Sequence, residues 1–418
     1  MKKILFAIIA LAAMTACHKD KEPEPQPAVL ADRTVLVYMS GECSLYDFVE
    51  SDLNEMKSGS MSIGNNNLLV YVDRGKTKEI PWLARIKDGQ YVDSVSIKDI
   101  AKEMNLTPAK TSVDDDPYAS EGQVMEGVIR YAFKKYPSQN DDYALAFFGH
   151  GSGWLMRDSV AYTALGRKKA WGVDNGTNGN SDTGKWMNIP TMAKVLSKLP
   201  HLKYMFFDCC NMMCLEVAYE LRNATDYLIG SPAEIPGVGA PYTTVVPAMF
   251  ERTTYWQSIT DRYFEQRAGG YDVPLSVVKT SEMENLASAT RTVLKAIAPK
   301  FGGEFPDMSD LIHYYYDYDH DKEFYDANDF ILKYAEPDDY NNWKQALDKA
   351  VVYKKMATSW MINKSSWPRY YGNYFTVTEE KYGGVSMFVP TYIQQSSDNK
   401  YIQRMGWYYA AGYADIGW

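Results

Sequence analysis

The run Phe147-Phe148-Gly149-His150-Gly151-Ser152-Gly153-Trp154 decides how this chain folds, together with Phe206-Phe207-Asp208-Cys209-Cys210 further along. Each is an apolar stretch of strand character that ends in a reactive side chain, an imidazole in one and a thiol in the other. A thiol and an imidazole delivered by two strand ends are the minimum equipment for nucleophilic catalysis by cysteine. Outward from this pair, Thr34–Met39, Leu68–Val72 and Asp226–Gly230 read as further strands, short and apolar, with β-branched residues marking the first. Between them Asp47–Met56, Glu121–Tyr136, Pro190–Leu199 and Leu215–Leu221 carry helical spacing. The second of these stops before Pro137 and the third starts on a proline, the positions that helix ends and starts prefer. Strands alternating with helices predict an α/β fold, a mostly parallel sheet with helices on both faces. In such sheets functional groups gather beyond the carboxyl ends of the strands, where His150 and Cys210 both fall.

Residue type alone leaves two readings for each of these. His150 fits a satisfied turn histidine, and Cys210 fits a buried small apolar residue, the usual fate of a free cysteine. The flanking Gly151 and Gly153 allow backbone N–H groups to approach a ligand. Cys210 follows a strand and precedes a helix, whose positive end favours thiolate.

Composition bounds the rest. A chain of 418 residues holds one large domain or two ordinary ones. The net charge of -9 argues against a nucleic-acid partner, since phosphate binding needs a basic face. Lys2-Lys3 followed by the apolar Ile4–Met14 reads as an export signal too short to span a bilayer. Met14-Thr15-Ala16-Cys17 resembles a bacterial lipobox, which makes residues 1–16 a lipoprotein signal peptide and Cys17 the lipidation site. His18 stands where an Asp would retain a lipoprotein in the inner membrane, so the expected location is the cell envelope, on the outer membrane rather than the inner. Residues 17–31, charged and Pro-rich, read as a flexible tether. The other cysteines, Cys43, Cys209, Cys210 and Cys214, are too few for a disulfide scaffold. Cys209, Cys210 and Cys214 lack the second ligand pair that zinc needs, so no metal site is expected there.

The two opening strings resemble the clostripain family of cysteine peptidases, members of the caspase-like clan. That family has a strand ending in His-Gly-x-Gly-Trp and a later one ending in Asp-x-Cys-x-Met. Here these are His150-Gly151-Ser152-Gly153-Trp154 and Asp208-Cys209-Cys210-Asn211-Met212. The likeness continues through Val35–Met39, Asp52-Leu53-Asn54-Glu55-Met56, Glu216–Leu221, Asp226–Ser231 and Glu234–Tyr242. It implies a caspase-like peptidase domain over residues 32–300, with residues 301–418 as a C-terminal α+β subdomain packed on it. It implies a His150/Cys210 dyad, with the spacing from Asp208 selecting Cys210 over Cys209, which should point back into the core. The backbone N–H groups of Gly151 and Cys210 are the natural oxyanion donors. The expected activity is that of an exported, lipid-anchored cysteine endopeptidase working through an acyl-enzyme on a protein or peptide substrate.

Family members cut after Arg or Lys, so the resemblance gives Asp208 a place at the floor of an acidic pocket, with Ser231 and Glu234 as further substrate-binding candidates. The later Pro-Gly-Asp-Gly-Trp segment of relatives reads Pro236-Gly237-Val238-Gly239-Ala240 here, losing one charge and one ring. A clostripain-like peptidase with non-basic P1 specificity is therefore one alternative; a peptide- or glycan-binding lipoprotein on a peptidase-like scaffold is another. Relatives resemble zymogens that cut themselves between the histidine and the cysteine, and Arg167-Lys168-Lys169 offers a self-cleavage site in that interval. The protein is expected to be a monomer, nicked if so activated. Some relatives depend on calcium, but Asp317-Tyr318-Asp319-His320-Asp321 has Lys322 and Asn328 where an EF-hand loop needs Gly and Glu. No cofactor is expected from a ligand motif, and that segment, with His313 and His320, reads as a solvated acidic turn.

Overall fold

The computed structural model describes residues 30–75, 79–156, 170–176, 182, 184–266, 272–316, 322–364, 367–371, 375–390 and 401–418. The segment with Cys17 and His18, the triplet Arg167-Lys168-Lys169, and Asp317–Asp321 lie outside the described residues. Residues Ala31–Trp418 form one compact unit.

Five parallel strands make the centre of a nine-stranded sheet. They are β1 (Thr34–Gly41), β2 (Asn67–Arg74), β5 (Tyr143–Phe148), β8 (Tyr204–Asp208) and β9 (Tyr227–Gly230), in the order β9-β8-β5-β1-β2. Antiparallel strands complete both edges. On one side β3 (Trp82–Lys87) and β4 (Gln90–Ser96) follow β2; on the other β10 (Leu275–Lys279) and then β13 (Val351–Lys355) follow β9. The mostly parallel centre matches the predicted class. The sequence reading did not anticipate the β3–β4 hairpin, whose exposed β4 carries Gln90, Asp93 and Ser94 and lacks the apolar signature of a buried strand.

The reason this sheet is covered on both faces is visible in β1, where side chains alternate between two cores. Leu36 and Tyr38 pack on one side; Val35, Val37 and Met39 on the other. The first face is covered by α3 (Gly122–Lys135), which presents Val124, Val128 and Ala132, and by α4 (Ile189–Leu196) and α5 (Leu215–Glu220). The second lies under α1 (Tyr46–Gly59), α6 (Tyr242–Met249) and α7 (Tyr255–Glu265). Beyond residue 300 the chain does not leave this framework. β13 extends the central sheet, and β12 (Lys322–Asp326) and β16 (Ser386–Met387) pair beside α5. Two strands expected at Tyr370–Phe375 and Gly384–Pro390 correspond to β15 (Trp367–Tyr371) and the short β16.

Leu145 on β5 is fully buried in the first core. Leu145→Ala is expected to destabilise the fold by about 2–5 kcal/mol, read as a lowered urea midpoint with unchanged slope; a midpoint like that of the unsubstituted protein would contradict the assignment of this face.

Candidate active site

Register positions the two reactive groups. β5 and β8 pair in parallel, with Phe148 opposite Asp208. His150 and Cys210 each lie two residues beyond that pair, so both emerge at the same carboxyl edge. The loops that carry them touch: a Cβ on Gly151 would fall 2.5 Å from the Cys210 carbonyl oxygen and 3.0 Å from Cys209 Cβ. Glycine is needed there for close backbone approach. The histidine loop is also strapped to β6 (Trp171–Asp174), since Ser152 N donates to Ala170 O at 2.9 Å and Gly172 N to His150 O at 2.8 Å.

The adjacent thiols have different fates. Cys209 is 1% exposed, lies in the core and donates to Phe147 O at 3.2 Å; burial holds its thiol well above the usual range. Cys210 is half-buried. Its sulfur accepts from Ile235 N at 3.4 Å, and its thiol donates to Ile235 O at 3.8 Å. The helix after the strand starts only at Leu215, with four residues between it and Cys210. The thiol therefore does not sit on a helix N-terminus, which corrects the expectation of a thiolate favoured by a helix end.

His150 Nε2 lies 2.9 Å from Ser44 Oγ and 3.2 Å from Asp182 Oδ1. Ser44 Oγ donates to Asp182 Oδ2 at 2.9 Å, and Ser44 N donates to Oδ1 at 3.0 Å. The single hydroxyl hydrogen is used on Asp182, so Ser44 Oγ accepts, and Nε2 carries the proton in this arrangement. Ser44 and Asp182 were missed in the sequence because neither adjoins a motif. Asp182 belongs to the segment between His150 and Cys210, and Ser44 follows β1. The buried Cys43 next to Ser44 also offers a sulfur within 4.8 Å of ligand atoms of His150 and Asp182.

Asp208 is 3% exposed and well satisfied. Both its oxygens accept from Ala240 N at 3.0 Å, Oδ2 also from Tyr242 Oη at 3.0 Å, and Oδ1 from Tyr263 Oη at 3.1 Å. Burial nevertheless pushes its carboxyl up to about 6, against the lowering effect of those donors. Gly239 allows this closure, with φ +59 and a would-be Cβ 2.6 Å from Asp208 Oδ2. Two further carboxyls from α1 bear on Asp208. Asp52, 1% exposed, is raised to about 9 by burial and then by the charges of Asp208 and Glu55, and Glu55 also raises Asp208. Asp52 Oδ2 and Glu55 Oε2 are buried with no hydrogen-bond partner among the described residues. The spacing i, i+3 puts both on one side of α1. Asp52 and Glu55 stand in a motif that marked the family resemblance, but their role was not legible there. Val238 is exposed on the rim.

Of the other predicted contacts, Ser231 is buried beyond β9, and its Oγ accepts from Ala233 N at 3.1 Å. Glu234 is 9% exposed and bridges Met361 across an antiparallel contact, so the segment after residue 300 reaches the site. His313 is not in a solvated turn. It is fully buried in β11 (His313–Tyr316), with Nδ1 3.0 Å from Leu311 O, and packs on Phe375.

The Asp52 value sets a sign. Its folded pKa of about 9 lies above the ordinary 3.8, so the folded state keeps a proton that the unfolded chain releases. Stability from this group is full below pH 3.8 and is lost as pH rises towards 9. Asp52→Asn should therefore gain melting temperature over the unsubstituted protein progressively from pH 5 to pH 9; a gain that is constant across that range would contradict the burial of an ionisable Asp52.

Comparison with known proteins agrees with this geometry. The family model described as Clostripain family matches residues 37–415. The clostripain of Hathewaya histolytica is 24% identical over 229 residues, covering 51% of this chain and 41% of that protein, so the chain spans well under half of its length. A secreted C11 cysteine protease from Bacteroides thetaiotaomicron, solved with an irreversible peptide inhibitor, is 31% identical, with TM-score 0.73, 92% of this chain and 100% of that chain covered. An inactive zymogen C11 protease from Parabacteroides distasonis is 28% identical, with TM-score 0.72 and coverages of 92% and 99%. With the family model spanning most of its length, this chain belongs to the clostripain family.

Proposed function

We propose that this protein is an exported, lipid-anchored cysteine endopeptidase that cleaves after Arg or Lys. The observation that carries the peptidase reading is the pairing of β5 with β8, which delivers His150 and a half-buried Cys210 to one edge. The Cys210 thiol passes its proton to the unprotonated ring nitrogen of His150 as Sγ attacks the scissile carbonyl carbon. The oxyanion forms beside the N–H groups of Gly151 and Cys210. His150 hands a proton to the leaving amine, and water then hydrolyses the acyl-enzyme. Ser44 and Asp182 hold the imidazole at Nε2.

The basic specificity rests on charge. Relatives place an Asp where this chain has Val238, yet Asp52 and Glu55 act on Asp208 from α1 and stand in for the missing carboxylate. A guanidinium or ammonium entering this group meets carboxyl oxygens that lack partners, and its arrival relieves their repulsion and draws them into the ionised form. Ser231 and Glu234 flank the same end of the sheet. Asp182 follows the Arg167-Lys168-Lys169 segment in the chain. Cleavage within that triplet separates Asp182 from the histidine strand and frees the imidazole from one of its two restraints, which is the sense in which a zymogen would be released. The signal peptide and Cys17 put the enzyme on the bacterial envelope, with the outer membrane favoured by His18. Among the described residues no helix is long and apolar enough to cross a membrane.

A fluorogenic panel varied at P1 tests the activity. Arg or Lys substrates should be cleaved, and Cys210→Ala should lose at least about 10³-fold. Glu55→Gln should lower kcat/KM for Arg by about 10–100-fold, the worth of a charged hydrogen bond, while leaving slow turnover of an uncharged P1 unchanged. A preference for uncharged P1 would sink the pocket assignment, and equal inertness of both proteins would sink the enzyme. Separately, incubated wild-type protein should appear as two chains with a new terminus near Lys169, while Cys210→Ala stays single; two intact proteins would exclude self-cleavage.

A further inference from the structure

Apolar side chains, as well as carboxyls, gather at the edge that carries the dyad. Five large apolar residues are left exposed among the described residues, and two of them, Tyr46 and Val238, stand at this edge. Tyr46 opens α1 two residues after Ser44, which reaches His150. Val238 is the more exposed of the two, at 42%. Apolar surface held out in water is an exception to burial, and beside a reactive thiol it marks a face that meets a ligand.

The segment that carries Val238 is fixed at both ends by the site itself. Ile235 N and O contact the Cys210 thiol, and Ala240 N donates to both oxygens of Asp208. Between these ends, Gly239 N donates to Pro236 O at 2.9 Å and closes a four-residue turn with Val238 at its third position. The turn rests on α1. A Cβ on Gly237 would fall 2.7 Å from Phe48 Cε2 and 3.0 Å from Cζ, so glycine is what lets the backbone lie against that ring. Phe48 is half-buried, and Val238 follows the contact by one residue. Leu45, three residues before Phe48, packs against the second core, as Cys210 does. Val238 and Phe48 thus stand on an apolar ledge whose backbone is set before any ligand arrives.

We propose that Val238 and Phe48 form the subsite for a bulky apolar side chain at P2, the substrate residue on the amino side of P1. The inference rests on the peptidase reading above and adds a second residue that the enzyme selects. Its direction follows from the chemistry. His150 protonates the leaving amine, so the residues after the scissile bond lie past the histidine. The acyl half of the substrate then runs from Cys210 along the segment Ile235–Ala240. Successive side chains of an extended chain point to opposite sides. A P1 side chain turned inward to Asp208 therefore turns the P2 side chain outward, onto the rim where Val238 is exposed. A P2 Leu or Phe gains there by leaving water, and a P2 Gly has no side chain with which to do so.

Fluorogenic peptides with Lys at P1 and either Leu or Gly at P2 test this on the full chain. P2 Leu should exceed P2 Gly by at least about 10-fold in kcat/KM. Binding of the same two peptides to Cys210→Ala, read by fluorescence anisotropy, should show the same order without any turnover. Val238→Asp, introduced into either background, should bring the ratio to within about 2-fold, while Val238→Leu, which keeps the ledge apolar, should retain it. Equal or absent binding of the two peptides by Cys210→Ala, or a ratio that Val238→Asp leaves intact, would overturn the subsite. So would an apolar preference found at P1′ in place of P2. Absence of turnover with the binding difference kept would count against the peptidase reading alone and would uphold the subsite.

Discussion

The parallel pairing of β5 with β8 is the constraint on which the rest depends. With Phe148 opposite Asp208, the next residues of both strands leave the sheet together, one chain turning through Gly149-His150-Gly151 and the other through Cys209-Cys210. A slip of one residue in β8 would exchange the roles of its two thiols, because side chains alternate faces along a strand. Cys209 would then face the site and Cys210 the core. Phe147 and Phe207 stack at 5.2 Å in the first core and help hold the register that prevents this.

Charge is the second theme of that edge. The carboxyl ends of the strands carry two separate acidic groups, one around Asp208 and one around Asp73. Asp208 is surrounded by donors and sits only moderately above its ordinary range, whereas Asp52 beside it lacks them and is raised to about 9. A fold whose main stability comes from two continuous apolar cores can tolerate such local cost. At Asp208 that cost falls at the edge where the proposed function puts the P1 side chain of a substrate. Stored electrostatic strain of this kind is the physical form that preorganised recognition takes.

Much of the fold was legible because its central strands are short continuous apolar runs and its helices are capped by Pro and periodic Val and Leu. The runs Thr34–Met39, Leu68–Val72 and Asp226–Gly230 match β1, β2 and β9 to within two residues, and the two opening strings end β5 and β8. The edge hairpin was not, since a solvent-exposed β4 has no apolar signature. At the site, His150 and Cys210 were legible because each ends a recognisable motif. Ser44, Asp182, Asp52 and Glu55 were not legible as partners, because their roles depend on contacts across long stretches of sequence that only the sheet order creates. The loop around Val238 supplies no charge, and the carboxyls that bear on Asp208 come from α1, on a different segment altogether.

The account's central claim is that Cys210, and not Cys209 or Cys43, is the thiol that this register exposes to chemistry. An irreversible peptide electrophile ending in Arg, followed by peptide mapping in the mass spectrometer, measures this directly. A single adduct on Cys210, lost in His150→Ala at neutral pH, is the predicted result. An adduct on Cys209 or Cys43, or an unlabelled Cys210, would contradict it.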